Sequence, residues 1–148
     1  MTTRRSWKDG RIKRERGQFL ALPRAVLESP AYLCLSPYAV KLLVDFGVQY
    51  NGGNNGDLAA VWRFMRRRGW RSQETLAKAK RELLDAQLIV ETRKGGRPNR
   101  VSLYAITFFH IDYCGGKFDI TTLGFPYGAW RDVKDQSYKT KAPPRTEN

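Results

Sequence analysis

The stretch RRRGWRSQETLAKAKRELLDAQLIVETRKGGRPNRVSLYAITFFHID, residues 66–112, decides the fold. Ser72 stands where a helix cap belongs, just before a run in which Leu76, Ala79, Leu83 and Leu84 recur at helical spacing. Gly69 is a natural stop for a preceding helix, which leaves Gly69-Trp70-Arg71 as a three-residue turn between two helices. Past the second helix, Leu88–Arg93 is a short apolar run rich in β-branched residues, and Val101–Phe109 is another strand-like run. The Gly, Pro and Asn of the intervening Lys94–Arg100 segment predict a β-hairpin.

Towards the N-terminus, Leu58, Val61, Trp62 and Met65 fall at i, i+3, i+4 and i+7, which predicts a helix capped by Asp57. The run NGGNNG, Asn51–Gly56, separates it from a longer helix. That helix opens with Ser36 as cap and Pro37 at the first helical position, and buries Ala39, Leu42, Leu43, Phe46 and Tyr50 on one face. Phe19–Leu22 reads as a strand or a strap over the core, and Pro23–Leu35 as a helical turn interrupted by Pro30, of open type. Two short helices joined by a tight turn form a helix-turn-helix, and a hairpin directly after one is a wing. The fold class is therefore α+β: a winged helix-turn-helix of three helices plus a β-hairpin wing over 19–112. A basic flexible arm at 1–18, an irregular packed extension at 113–133 and a disordered polar tail at 134–148 complete the expected organisation.

The net charge of +13 points to a polyanionic partner, and it is concentrated. Met1–Arg16 carries +5, Trp62–Ser72 carries +5 and Arg93–Arg100 carries +4, so the remaining residues are nearly neutral. A charge spread for solubility would not cluster this way. No apolar run approaches the ~20 residues of a membrane helix, and the basic N-terminus lacks the apolar core of a secretory signal. Cys34 and Cys114 are too few for a disulfide framework. A cytoplasmic setting is expected.

Residues 66–112 resemble winged-helix proteins of bacteriophages, prophages and other mobile elements. Some of these look like DNA-binding parts of replication-initiation proteins, others like small transcriptional regulators. The similarity spans Phe19 to Asp112, with one departure: Gln87 stands at a helix-to-strand corner where such modules usually place glycine. The resemblance implies that the third helix lies in the major groove of double-stranded DNA. Gln73, Glu74 and Thr75 would then meet base edges, with Lys78 and Arg81 further along. For Glu74 a favourable charge at a helix N-terminus is the competing account. Arg66, Arg67, Arg68, Arg71 and Ser72 would flank phosphates, and Lys94, Arg97, Asn99 and Arg100 of the wing would grip the backbone or enter the minor groove. Trp70 reads as a core plug in preference to a base-stacking residue, and Tyr104 and Phe108 as core aromatics.

Chemistry is not expected. His110 is the one imidazole and has only Asp112 near it in sequence; no phosphate-binding Gly-rich loop with GK[ST] is present. One histidine and two distant cysteines do not make a zinc site, so neither an enzyme, a metal nor a cofactor is expected. Two rival readings stand beside DNA binding: an RNA-binding module, and a protein-interaction module using the same wing. A second copy of the chain or replication proteins are the further expected partners; no membrane and no small-molecule ligand are.

Overall fold

A computed structural model describes residues 17–134. Most of the expected arm at 1–18, and the tail at 134–148 beyond Lys134, lie outside the described residues. The architecture is α+β. Five α-helices occur among the described residues: α1 Arg24–Leu27, α2 Pro30–Leu33, α3 Pro37–Gln49, α4 Trp62–Met65 and α5 Gln73–Asp85. Two antiparallel strands follow them, β1 Ile89–Arg93 and β2 Leu103–Ile106.

Pro30 interrupts the first helical segment by ending α1 and opening α2, whose cap Ser29 accepts from the Tyr32 N–H. At α3, Ser36 Oγ accepts from the Ala39 N–H at 3.3 Å, and Ala39, Leu42, Leu43 and Phe46 are buried. Phe19–Leu22 forms no strand. It is a strap: Leu20 lies so close over Gly47 of α3 that a β-carbon there would overlap it.

The helix expected from Asp57 onwards is shorter than its apolar spacing implies. Residues 57–61 are outside any helix, and Leu58 forms an antiparallel bridge with Tyr104 of β2. The Leu58 N–H donates to the Tyr104 carbonyl at 3.2 Å, and the Tyr104 N–H donates back at 2.8 Å. These two bonds hold Leu58 extended while it is fully buried, so tertiary pairing overrides a spacing that mimics a helix face. Asp57 caps nothing and instead pairs with Lys117 at 2.8 Å. The helix begins at Trp62 and tightens into a 3₁₀ turn over Arg66–Arg68. Gly69 ends it at φ 93°, a left-handed conformation that suits glycine.

Ser72 caps α5, its Oγ accepting from the Thr75 N–H at 3.3 Å, and Leu76, Ala79 and Leu83 turn inward. α3 and α5 pack against each other, and the hairpin follows through Ala86–Leu88. Gln87 makes the corner at φ 55°, which a side chain adopts at a cost of about 1 kcal/mol. In the hairpin Ile89 pairs with Ile106, Val90 with Ala105 and Glu91 with Tyr104, after which the register shifts at Thr92. The buried Thr92 hydroxyl donates to the Gly56 carbonyl at 2.7 Å. Both strands are shorter than their apolar runs.

Asn55, inside the NGGNNG turn, is completely buried. Its Nδ2 donates to the carbonyls of Ile106 (2.9 Å), His110 (2.9 Å) and Phe109 (3.3 Å), and its Oδ1 accepts from the Ile106 N–H at 2.8 Å. One side chain thus satisfies the backbone where β2 ends. Residues 113–133 contain only 3₁₀ turns among regular elements, but they pack on the domain. Trp130 joins the core cluster, the Gly128 N–H donates to the Thr107 carbonyl at 2.8 Å, and the Asp119 N–H donates to the Thr92 carbonyl at 2.8 Å.

Candidate nucleic-acid interface

The phase of α5 is set by Leu76, Ala79 and Leu83, and it leaves Gln73, Glu74, Lys78 and Arg81 exposed, with Thr75 half-buried. Glu74 and Lys78 form an i,i+4 pair at 3.2 Å with both side chains largely exposed. Such pairs contribute only about 0.3–0.5 kcal/mol, so either partner is available to a ligand at little cost. Ser72, half-buried, is engaged as the helix cap. A hollow of about 250 Å³ lies at this end of the helix, lined by Tyr38, Arg71, Ser72 and Thr75 among others.

Arg66, Arg67 and Arg71 are exposed and make no ion pair among the described residues. Arg68 differs from them. Its Nη2 and Nε donate to Asp45 Oδ1 at 3.0 and 3.2 Å, so it is held as a structural contact. Asp45 is 4 % exposed, and its Oδ2 accepts from the Trp70 indole N–H at 2.8 Å and from Lys41 at 3.3 Å. Lys41 also donates to the Arg68 carbonyl at 2.8 Å. The carboxylate thereby fixes the turn between α4 and α5 onto α3. Trp70, 4 % exposed, is the plug expected of it. Asp45 was not among the candidate residues; the i,i+4 spacing from Lys41 was the signal that could have found it.

At the hairpin tip Lys94, Arg97 and Asn99 are exposed, and the side chains of Lys94 and Arg97 make no ion pair among the described residues. The tip is closed by mutual backbone bonds between Gly96 and Arg100 at 2.8 and 2.9 Å. Arg100 departs from the pattern of free cations, because its guanidinium pairs with Asp119 of the extension. Asp119 also accepts from the Lys94 N–H at 3.1 Å. The Lys94 amide, with the Arg100 guanidinium beside it, holds the Asp119 carboxyl below the ordinary carboxylate range. Arg93 is turned to the backbone, donating to the Val101 carbonyl at 3.0 and 3.2 Å.

The residues weighed for chemistry are dispersed into structural contacts. His110 stacks on Tyr127 with ring centroids 4.3 Å apart, while Asp112 accepts from the Asn55 N–H at 2.8 Å. Burial and the Asp57 and Asp112 carboxylates push the Cys114 thiol up, away from a reactive thiolate. Comparison with family models, with characterised sequences and with solved structures returns no match for this chain.

Proposed function

We propose that the chain is a winged helix-turn-helix module that binds double-stranded DNA, with α5 as recognition helix and the β1–β2 hairpin as wing. The observation that carries this reading is the outward face of α5, Gln73, Glu74, Lys78 and Arg81, bracketed along the chain by exposed cations. Arg66, Arg67 and Arg71 precede it, and Lys94 and Arg97 follow it. The order of elements supports it as well. A helix, an extended residue, two helices across a tight turn and a hairpin follow in sequence, and Leu58 adds a short third edge to the hairpin beside β2.

In this reading phosphates are met by Arg66, Arg67, Arg71 and the wing, which carry no base identity, while Gln73 and Thr75 read base edges. Arg68, paired with Asp45 but 48 % exposed, would share its guanidinium between that carboxylate and a phosphate. The resemblance of residues 66–112 supports a role at a phage or mobile-element locus, which we propose to be that of a transcriptional regulator or replication-origin binder acting by binding. The test is binding of variants to a selected site, to random duplex and to structured RNA across a salt series. Lys94→Ser with Arg97→Ser is expected to weaken all duplexes alike and to lower the log–log salt slope by about 0.9 per lost contact. Gln73→Ala with Thr75→Ala is expected to cost about 1–3 kcal/mol on the selected site and little on random DNA. Tighter binding of wild type to structured RNA than to any duplex would overturn the DNA assignment in favour of RNA.

A further inference from the structure

The wing tip holds an anion already, and that anion belongs to the chain. Asp119 is brought there by the bond from its own N–H to the Thr92 carbonyl, at the register shift of β1. Its carboxylate then accepts from the Lys94 backbone N–H through Oδ2 and from Arg100 Nη2 through Oδ1. A backbone amide beside a guanidinium is a donor set that a phosphate oxygen pair also satisfies. The Arg100 and Asp119 side chains are both 49 % exposed, so the pair is open to exchange with an outside anion.

We propose that Asp119 occupies a phosphate site of the wing, competing with the DNA backbone for the Lys94 amide and the Arg100 guanidinium and so setting how tightly the wing grips any duplex. The proposal rests on the DNA-binding reading above and specifies its regulation. Removing the negative charge frees one cation for the duplex. Asp119→Asn keeps an oxygen for the Lys94 N–H, so the tip retains its backbone anchor while Arg100 is released.

The experiment measures binding of wild type, Asp119→Asn, Asp119→Asn with Arg100→Ser, Asp132→Asn and Lys94→Ser with Arg97→Ser to random duplex over a salt series. Asp119→Asn is expected to bind more tightly at low salt, with a log–log slope steeper by about 0.9. Between about 50 and 200 mM salt its affinity then falls about 3.5-fold further than that of wild type. Adding Arg100→Ser is expected to abolish the gain. Asp132 is an exposed acid of the same extension that makes no ion pair among the described residues, and it controls for net charge. An equal gain from Asp132→Asn overturns the proposal, and so does unchanged or weaker binding by Asp119→Asn. If Lys94→Ser with Arg97→Ser leaves duplex binding intact, the wing reading fails and this inference with it. If that variant weakens binding while Asp119→Asn gains nothing, only the inference fails.

Discussion

The indole N–H of Trp70 donates to the carboxylate of Asp45 across 2.8 Å, and both residues are buried. The same carboxylate takes Arg68 and Lys41, so a single acid on α3 orients the turn that delivers α5. Breaking a buried ion pair typically costs about 3–5 kcal/mol because a charge is stranded. Here the stranded cations are not deeply buried: the Lys41 and Arg68 side chains are 40 % and 48 % exposed and can rehydrate. The uncompensated group is the Trp70 N–H. Asp45→Ala is therefore expected to lose about 1–3 kcal/mol, the cost of one buried unsatisfied donor. Urea denaturation measures it, and a loss under about 0.5 kcal/mol, the size of an ordinary surface substitution, would show the network to be incidental.

Asn55 presents a sharper case, because its fully buried side chain bonds four backbone groups at once. Asn55→Ala leaves buried Ile106 with both backbone groups deprived of their side-chain partner. A loss of about 2–4 kcal/mol is expected, in the range of broken buried networks. Asn55→Asp is expected to be at least as harmful, since a carboxylate would face three carbonyl oxygens. Amide exchange at Ile106 and the denaturation midpoint check both, and an aspartate variant as stable as wild type would contradict the bonding described.

Gln87 offers a gain. Its φ of 55° is costly for a side chain, and both bonds made there are to its backbone: its N–H donates to the Leu84 carbonyl at 3.0 Å, and its carbonyl accepts from the Thr107 hydroxyl at 2.7 Å. Gln87→Gly keeps that acceptor and removes about 1 kcal/mol of left-handed strain. Part of this is offset by the greater freedom of glycine in the unfolded chain. The thermal midpoint is expected to rise slightly, and that of Gln87→Val to fall, because a β-branched residue tolerates positive φ worst. The reverse order would mean that the corner is not left-handed.

Leu83 has no exposed surface and lies on the inward face of α5. Leu83→Ala is expected to cost about 2–5 kcal/mol, a large part of the roughly 5–15 kcal/mol that holds a small domain. An unchanged midpoint would shift the helical phase and, with it, the outward residues Lys78 and Arg81.

What the sequence made legible was local. Ser36 with Pro37, Ser72, Gly69 and the glycine-rich tip each act within a few residues of themselves, and each marks a boundary where it was expected. The apolar spacing of α3 and α5 likewise reports the faces that pack on each other. Misreading began where the partner was distant. Leu58 fits a helical stripe with Val61, Trp62 and Met65, but Tyr104 claims its backbone. Asn55 sits in a run that reads only as a turn between helices, and it is β2 and the segment after it that explain its burial. Arg68 and Arg100 are indistinguishable in sequence from the free arginines beside them. Asp45 and Asp119, far along the chain, make the difference.

The Leu58–Tyr104 bridge also orders events during synthesis. Leu58, α4 and α5 are all made before the residue that supplies both backbone partners of Leu58. Asn55 waits in the same way, since its acceptors Ile106, Phe109 and His110 come later still. A nascent chain halted before Leu103 thus carries α3 and α5 with their apolar faces able to meet, yet without the Tyr104 backbone that pairs with Leu58 and the acceptors of the Asn55 amide. Closing long-range contacts last keeps a chain incomplete until its final strand appears. On this account the second strand is the latch of the segment before α4, because Leu58 and Asn55 gain these partners only as the ribosome delivers residues 103–110.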